Sequence, residues 1–159
     1  MRSKLRQQVA PVQGLKPQVI TLSGGAQTTK GDAIAHVDDN GALGVTRTAV
    51  VVISTGFSGA ADFTITPKIQ ESDDTTDGNF ADVTLADSAA LPTAVAKTGT
   101  VGFAYFFLDT TKLKKYFRVF LTSAGTTTDT ATAQITVILG DGSIESLPRG
   151  TVPTVYRKA

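Results

Sequence analysis

The residues best suited to chemistry in this chain fall in one run, ESDDTTDGNFADV, from Glu71 to Val83. It sets Glu71, Asp73, Asp74, Asp77 and Asp82 around a single glycine, Gly78. Clustered carboxylate oxygens suit calcium, and a pair of them roughly 5 to 9.5 Å apart across a cleft suits glycoside hydrolysis. Read as an EF-hand loop from Asp73, the run places Thr75, Asp77 and Gly78 at the third, fifth and sixth positions. The twelfth, which must be a bidentate glutamate, is Thr84. The flanks are also strand-like where an EF-hand needs helices, so that motif is excluded. Asp73 and Asp77 stay as the candidates for an irregular calcium loop. As catalytic acids, Asp73, Asp74 and Asp77 fall on a loop tip, where nothing desolvates one of them to raise its pKa.

Other chemistries find less. The single histidine, His36 in AIAHVDD, has no GxSxG elbow or other nucleophile motif to serve, and reads as structural. LSGGAQTTKGD holds a glycine pair and a lysine without phosphate-loop spacing. With no cysteine, thiolate metal sites, disulfides and cysteine nucleophiles are excluded. No tryptophan and three tyrosines make a thin sugar-stacking platform. The sequence therefore points to no enzyme, no catalytic residue and no cofactor. A formal charge of +1 gives no general drive toward nucleic acid or an anionic membrane. No apolar run reaches the roughly 20 residues of a membrane-spanning helix, and the basic start lacks the apolar middle of a signal peptide. The expectation is a chain made in a cytoplasm and carried out, if at all, within a larger particle.

The elements that would position such residues read as strands. Charged content of 18% is low, and threonine, alanine, glycine and valine fill the gap, a mixture suited to pleated sheets and tight turns. In DFTITPKIQ, Phe63, Ile65, Pro67 and Ile69 share the buried face, and Pro67 implies an edge strand or a bulge. In TAQITVIL, Ala133, Ile135, Val137 and Leu139 point inward. AVVVI, apolar on both faces, suits a central strand covered on both sides. In VGFAYFFL, Val101, Phe103, Tyr105 and Phe107 share a parity, and in YFRVFL so do Phe117, Val119 and Leu121. These two strands are expected to meet across the core, their rings serving packing. DTTKLKK between them reads as one helical turn capped by Asp109. Asp39-Asn40-Gly41 signals a type I′ turn. Adding QVITLS, AIAHV and FADVTL gives about eight strands, hence an all-β, antiparallel sandwich or jelly-roll-like fold.

Both ends read as extended arms. Residues 1–17 carry Arg2, Lys4, Arg6 and Lys16 with Pro11, Gly14 and Pro17, so they are expected to flank a sandwich domain of residues 18–140. Residues 141–159, with Arg149 and Arg157, form the second arm.

The order KIQESDDTTDGNFADV, then AYFFLDTTKLKKYFRVFLTSAGTTTDTATAQITVILGD, resembles tailed-bacteriophage structural proteins, most of all head decoration or capsid cement proteins. The similarity covers roughly residues 60–142: a strand ending in Gln70-Glu71-Ser72-Asp73, an acidic glycine turn, Tyr116-Phe117-Arg118-Val119, and a closing strand ending in Leu139-Gly140. It implies a virion protein that binds the outside of a phage head and stabilises the shell, with the major capsid protein as partner. A homo-oligomer, the trimer favoured, is expected at a local threefold point. From composition, Arg2, Lys4, Arg6, Lys16, Arg149 and Arg157 are the candidate capsid-binding groups. The alternatives are a tail or neck component of the virion, or a carbohydrate-binding adhesion module needing an exposed aromatic face or a metal-held loop.

Overall fold

A computed structural model describes residues 9–22, 27–36, 47–57, 63–86, 90–96, 102–125, 129–140 and 155–159. They form β1 (Val9–Leu22), β2 (Gln27–Lys30), β3 (Ile34–Ala35), β4 (Thr48–Phe57), β5 (Phe63–Ser72) and β6 (Ala81–Asp82). Then follow β7 (Ala94–Ala96), β8 (Gly102–Asp109), β9 (Tyr116–Gly125), β10 (Asp129–Gly140) and β11 (Val155–Tyr156). The first sheet runs β1-β10-β4-β8-β11 and the second β2-β9-β5-β6, with β3 on β9 and β7 on β5. Every pairing is antiparallel except that of β11 with β8. Early and late strands alternate across both sheets, which is the winding of a jelly roll. The all-β sandwich read from the sequence is therefore the fold.

The core lies between the sheets. From the first it takes Ala49, Val51 and Ile53, then Ala104, Phe106 and Leu108, and the alternate residues of β10 from Ala131 to Leu139. From the second it takes Ile65, Ile69, Phe117, Val119 and Leu121. The clean alternation of β5 and β10 thus maps onto burial as expected, and in β9 Phe117, Val119 and Leu121 face inward. Pro67 is accommodated by a gap in pairing: beyond β5, β7 stops opposite Ile65, and Val83 N resumes on Ile69 O at 2.9 Å.

Three expectations are corrected. First, β1 enters the sheet at Val9, not at residue 18, and Leu15 is buried in the core. Pro11, Gly14 and Pro17 do not prevent this. β1 is an edge strand, and register shifts at Gln13/Leu15 and Leu15/Gln18 absorb the irregular residues. At the other end, residues 155–159 are also tied to the sandwich, through β11 and a bridge between Leu85 and Lys158. Second, the parity of β8 is opposite to the one expected. Phe106 is buried, whereas Phe103 and Tyr105 are 60% and 55% exposed. The register decides this: Phe106 lies opposite Val51 and Ala104 opposite Ile53, both core residues of β4. Third, β4 is central in its sheet but covered on one side only, because Val50 and Val52 on its outward face are half-buried. The Asp39-Asn40-Gly41 turn lies outside the described residues.

At one corner the two sheets are joined through backbone. Gly31 N donates to Val119 O in β9 at 2.9 Å, and the next amide, Asp32 N, donates to Gly14 O in β1 at 2.7 Å. A Cβ on Gly31 would stand 2.5 Å from Val119 O and 2.6 Å from Gly14 O, so only glycine passes between the strands.

Candidate functional site

The acidic run leaves the end of β5, turns through a single 3-10 turn at Asp77–Asn79, and returns as β6. Each of its carboxylates is held within the chain. Glu71, with a side chain only 9% exposed, accepts from Lys158 Nζ at 2.5 Å and from the Lys114 backbone N–H at 3.0 Å. Asp73 pairs with Lys114 at 2.9 Å, and that hydrogen bond with its charge raises the lysine pKa above its ordinary value. Asp74 accepts from Thr76 N and from Asn79 Nδ2, both at 2.8 Å. Those bonds, the backbone one foremost, hold its carboxyl below the usual range. Asp77 takes Lys30 at 2.5 Å and the Arg118 guanidinium, and the bond from Lys30, then that from Arg118, lowers its pKa. Asp82 is lowered by Gln70 at 2.7 Å and then by Lys68 at 3.3 Å.

Arg118 organises this loop, and sequence reasoning named it only as part of a pattern. It alternates with Phe117 and Val119, so it stands on the outward face of β9, yet it is buried. The returning loop covers it. Its Nε donates to Gln70 Oε1 at 2.8 Å and its guanidinium lies 4.2 Å from the centroid of the Phe80 ring. Phe80 is half-buried against this guanidinium. A charged residue inside an otherwise apolar strand was the available signal. Among the described residues no three His, Cys, Asp or Glu side chains gather as metal ligands. Asp73 and Asp77 reach different cations, Lys114 and the Lys30–Arg118 pair, which leaves a cation to compete with built-in ammonium and guanidinium groups.

His36 is buried under the Phe117 ring, centroids 5.9 Å apart, with Nε2 2.5 Å from Lys114 O. Asp109 accepts from Thr111 N at 3.0 Å and from its hydroxyl at 2.6 Å. Asp109 thus caps the segment after β8 as expected, and one turn, closed by Leu113 N donating to Thr110 O at 3.1 Å, follows without continuing into a helix.

The second feature is a row of rings. Phe103, Tyr105 and Phe107 project from the outward face of β8, with successive centroids 5.9 and 6.2 Å apart. Tyr105 lies opposite Val52, and Phe107 opposite Val50, which is itself opposite Ile138 of β10. The rings are tilted by 44° and then by 80°, so they lean on one another and do not form a coplanar shelf. Of the candidate basic residues, Lys16 is exposed on β1 and Arg157 follows β11, 3.5 Å from Asp109. They stand at opposite edges of the first sheet, four strand spacings apart and offset along the strands. Arg2, Lys4, Arg6 and Arg149 lie outside the described residues.

No protein-family model matches the sequence, and no curated protein does. Solved structures do match the fold. A chain from the structure of infectious bursal disease virus Gt strain aligns over 85% of this chain and 33% of its own, with TM-score 0.53 and 12% identity. A chain of the Gx strain aligns over 89% and 34%, with TM-score 0.51 and 10% identity. A subunit of Bacillus endospore appendages, described as a novel family of disulfide-linked pili, covers 86% and 92%, with TM-score 0.43 and 14% identity. This chain thus spans about a third of the viral chains it matches, and what it shares with them is the β-sandwich fold.

Proposed function

We propose that this chain is a structural virion protein that binds the outer surface of a phage capsid and stabilises the shell. The observation that carries the reading is the outward face of the first sheet, where Phe103 and Tyr105 meet solvent beside half-buried Phe107, Val50 and Val52. An exposed aromatic row on a sheet face is a surface for assembly with another protein chain, as a structural subunit requires. The fold shared with viral chains supports this reading. In this role a small domain adds buried interface at each junction of a shell strained by packaged DNA. Basic residues at both ends, Arg2, Lys4, Arg6, Lys16, Arg149 and Arg157, pair with the major capsid protein, and the chain works as a homo-oligomer, the trimer favoured.

The test uses purified heads of the virus that carries the gene. The full chain co-sediments with them in hundreds of copies per particle, and a chain lacking residues 1–8 binds weakly or not at all. The truncation stops there because β1 begins at Val9. A handful of copies would make the chain a tail or neck component, and no binding to heads would overturn the reading. The exposed row also meets one requirement of an adhesion module, for which a glycan array is the direct check. The tilts between the rings oppose flat stacking of sugar units.

A further inference from the structure

We infer that the ring row of β8 packs against its own counterpart in a second copy of this chain. The inference rests on reading the chain as an assembling structural protein, and it names the surface that does the assembling. In a two-fold contact the same patch meets itself, and a residue near the axis meets its own copy, so a charge there meets a like charge, while apolar and hydroxyl groups meet without repulsion. The outward face fits that demand. Thr48, Val50, Val52 and Ser54 on β4, Phe103 to Phe107 on β8, and Thr132 to Ile138 on β10 bring no charged side chain to it. The outward face of the second sheet is different, carrying Lys68, Arg118 and Asp82 with their ion pairs. Charges return to the first sheet at its borders, with Lys16 exposed on the edge strand β1 and, at the other edge, Asp109 and Arg157 3.5 Å apart as an opposite pair.

The area is also adequate. The four long strands β1, β10, β4 and β8, about 4.8 Å apart, and the ten residues of β4 at about 3.3 Å each give a footprint of roughly 500–650 Å². Stable complexes bury roughly 600–1,000 Å² per partner. On β8, beside the central strand β4, stand two rings more than half exposed, the residue type that dominates such contacts.

Sedimentation of the full chain at about 100 μM reads the prediction directly. The wild type runs at a multiple of its 16.5 kDa chain mass, whereas Tyr105→Glu and Phe103→Glu run as monomers and keep the wild-type circular dichroism. Since the chain has no cysteine, Phe103→Cys adds a second reading that needs no loss of assembly. A short bismaleimide joins two copies through position 103 but not through the exposed control Thr64→Cys on the second sheet. A monomeric wild type, an oligomer unaffected by Tyr105→Glu, or no cross-link at 103 would each overturn the inference. So would a monomer that binds capsids or glycans through these same rings. Self-assembly without any affinity for phage heads would leave this contact standing and remove only the capsid role.

Discussion

Arg118 and Asp77 are 41 residues apart in sequence, yet the guanidinium donates to the carboxylate from a side chain only 7% exposed. The pair closes the acidic loop over the second sheet and gives a strand arginine a reason to be there. Arg118→Ala removes this bond, the one to Gln70 and the contact with Phe80 together. The expected result is a lower melting temperature and faster hydrogen exchange at the Asn79 amide, now bonded to Thr76 O at 3.0 Å. Unchanged exchange there would show that the loop holds itself.

Stability should fall in acid for a reason local to this loop. Asp74, Asp77 and Asp82 all have lowered folded-state pKa values. Their contribution is complete above the unfolded value, about 3.9, and is lost as pH falls through the lowered values. Lys114 acts in the opposite sense. Its raised pKa contributes below the unfolded value, about 10.4, and is lost as pH rises through the folded one. Thermal melts should therefore be flat between roughly pH 5 and 9.5 and decline on both sides. The acid limb should be shallower in Asp77→Asn.

The two parities of β8 make a sharp contrast. Phe106→Ala empties a buried ring site and should cost about 3–5 kcal/mol. Phe103→Ala, at an exposed position, should stay within about 0.5 kcal/mol when unfolded by denaturant at submicromolar concentration. Equal losses would restore the opposite register.

Glu71 ties residues 155–159 to the domain. Lys158→Ala and Glu71→Ala should each cost about 1.5–3 kcal/mol, as for hydrogen bonds to charged groups. The double mutant should lose less than the sum, because both remove one contact. Full additivity in that cycle would count against a direct bond.

Gly31→Ala should be among the most damaging small substitutions, at about 3 kcal/mol or more, since backbone oxygens of two strands block the added carbon. Gly78→Ala, with open space around it, is the control. Soluble yield and denaturant midpoint read both.

Where one face was apolar and the other polar, the sequence was legible. Ile65, Pro67 and Ile69, or Ala133 to Leu139, are buried as their alternation implies. VGFAYFFL is apolar on both parities, so periodicity could not choose, and only the pairing with β4 did so. The first half of β1 was hidden because proline and glycine punctuate interior strands, while an edge with bulges tolerates them. β2, β7 and β11 are two to four residues long and leave no periodic trace. In the candidate site the acids were visible at once. Their partners were not, since Lys30, Lys114, Arg118 and Lys158 arrive from elsewhere in the chain, the last 87 residues away.

The glycine corner also bears on mechanical load. Consecutive amides of Gly31 and Asp32 reach opposite sheets, so there the spacing between layers is set by main-chain bonds and not by compressible side chains. A subunit pulled sideways within a particle would pass tension from one layer to the other through this stapled point. Slippage should then start at the opposite end of the sandwich. Single-molecule pulling across the two sheets should give a higher rupture force for the wild type than for any folded variant that loosens the corner.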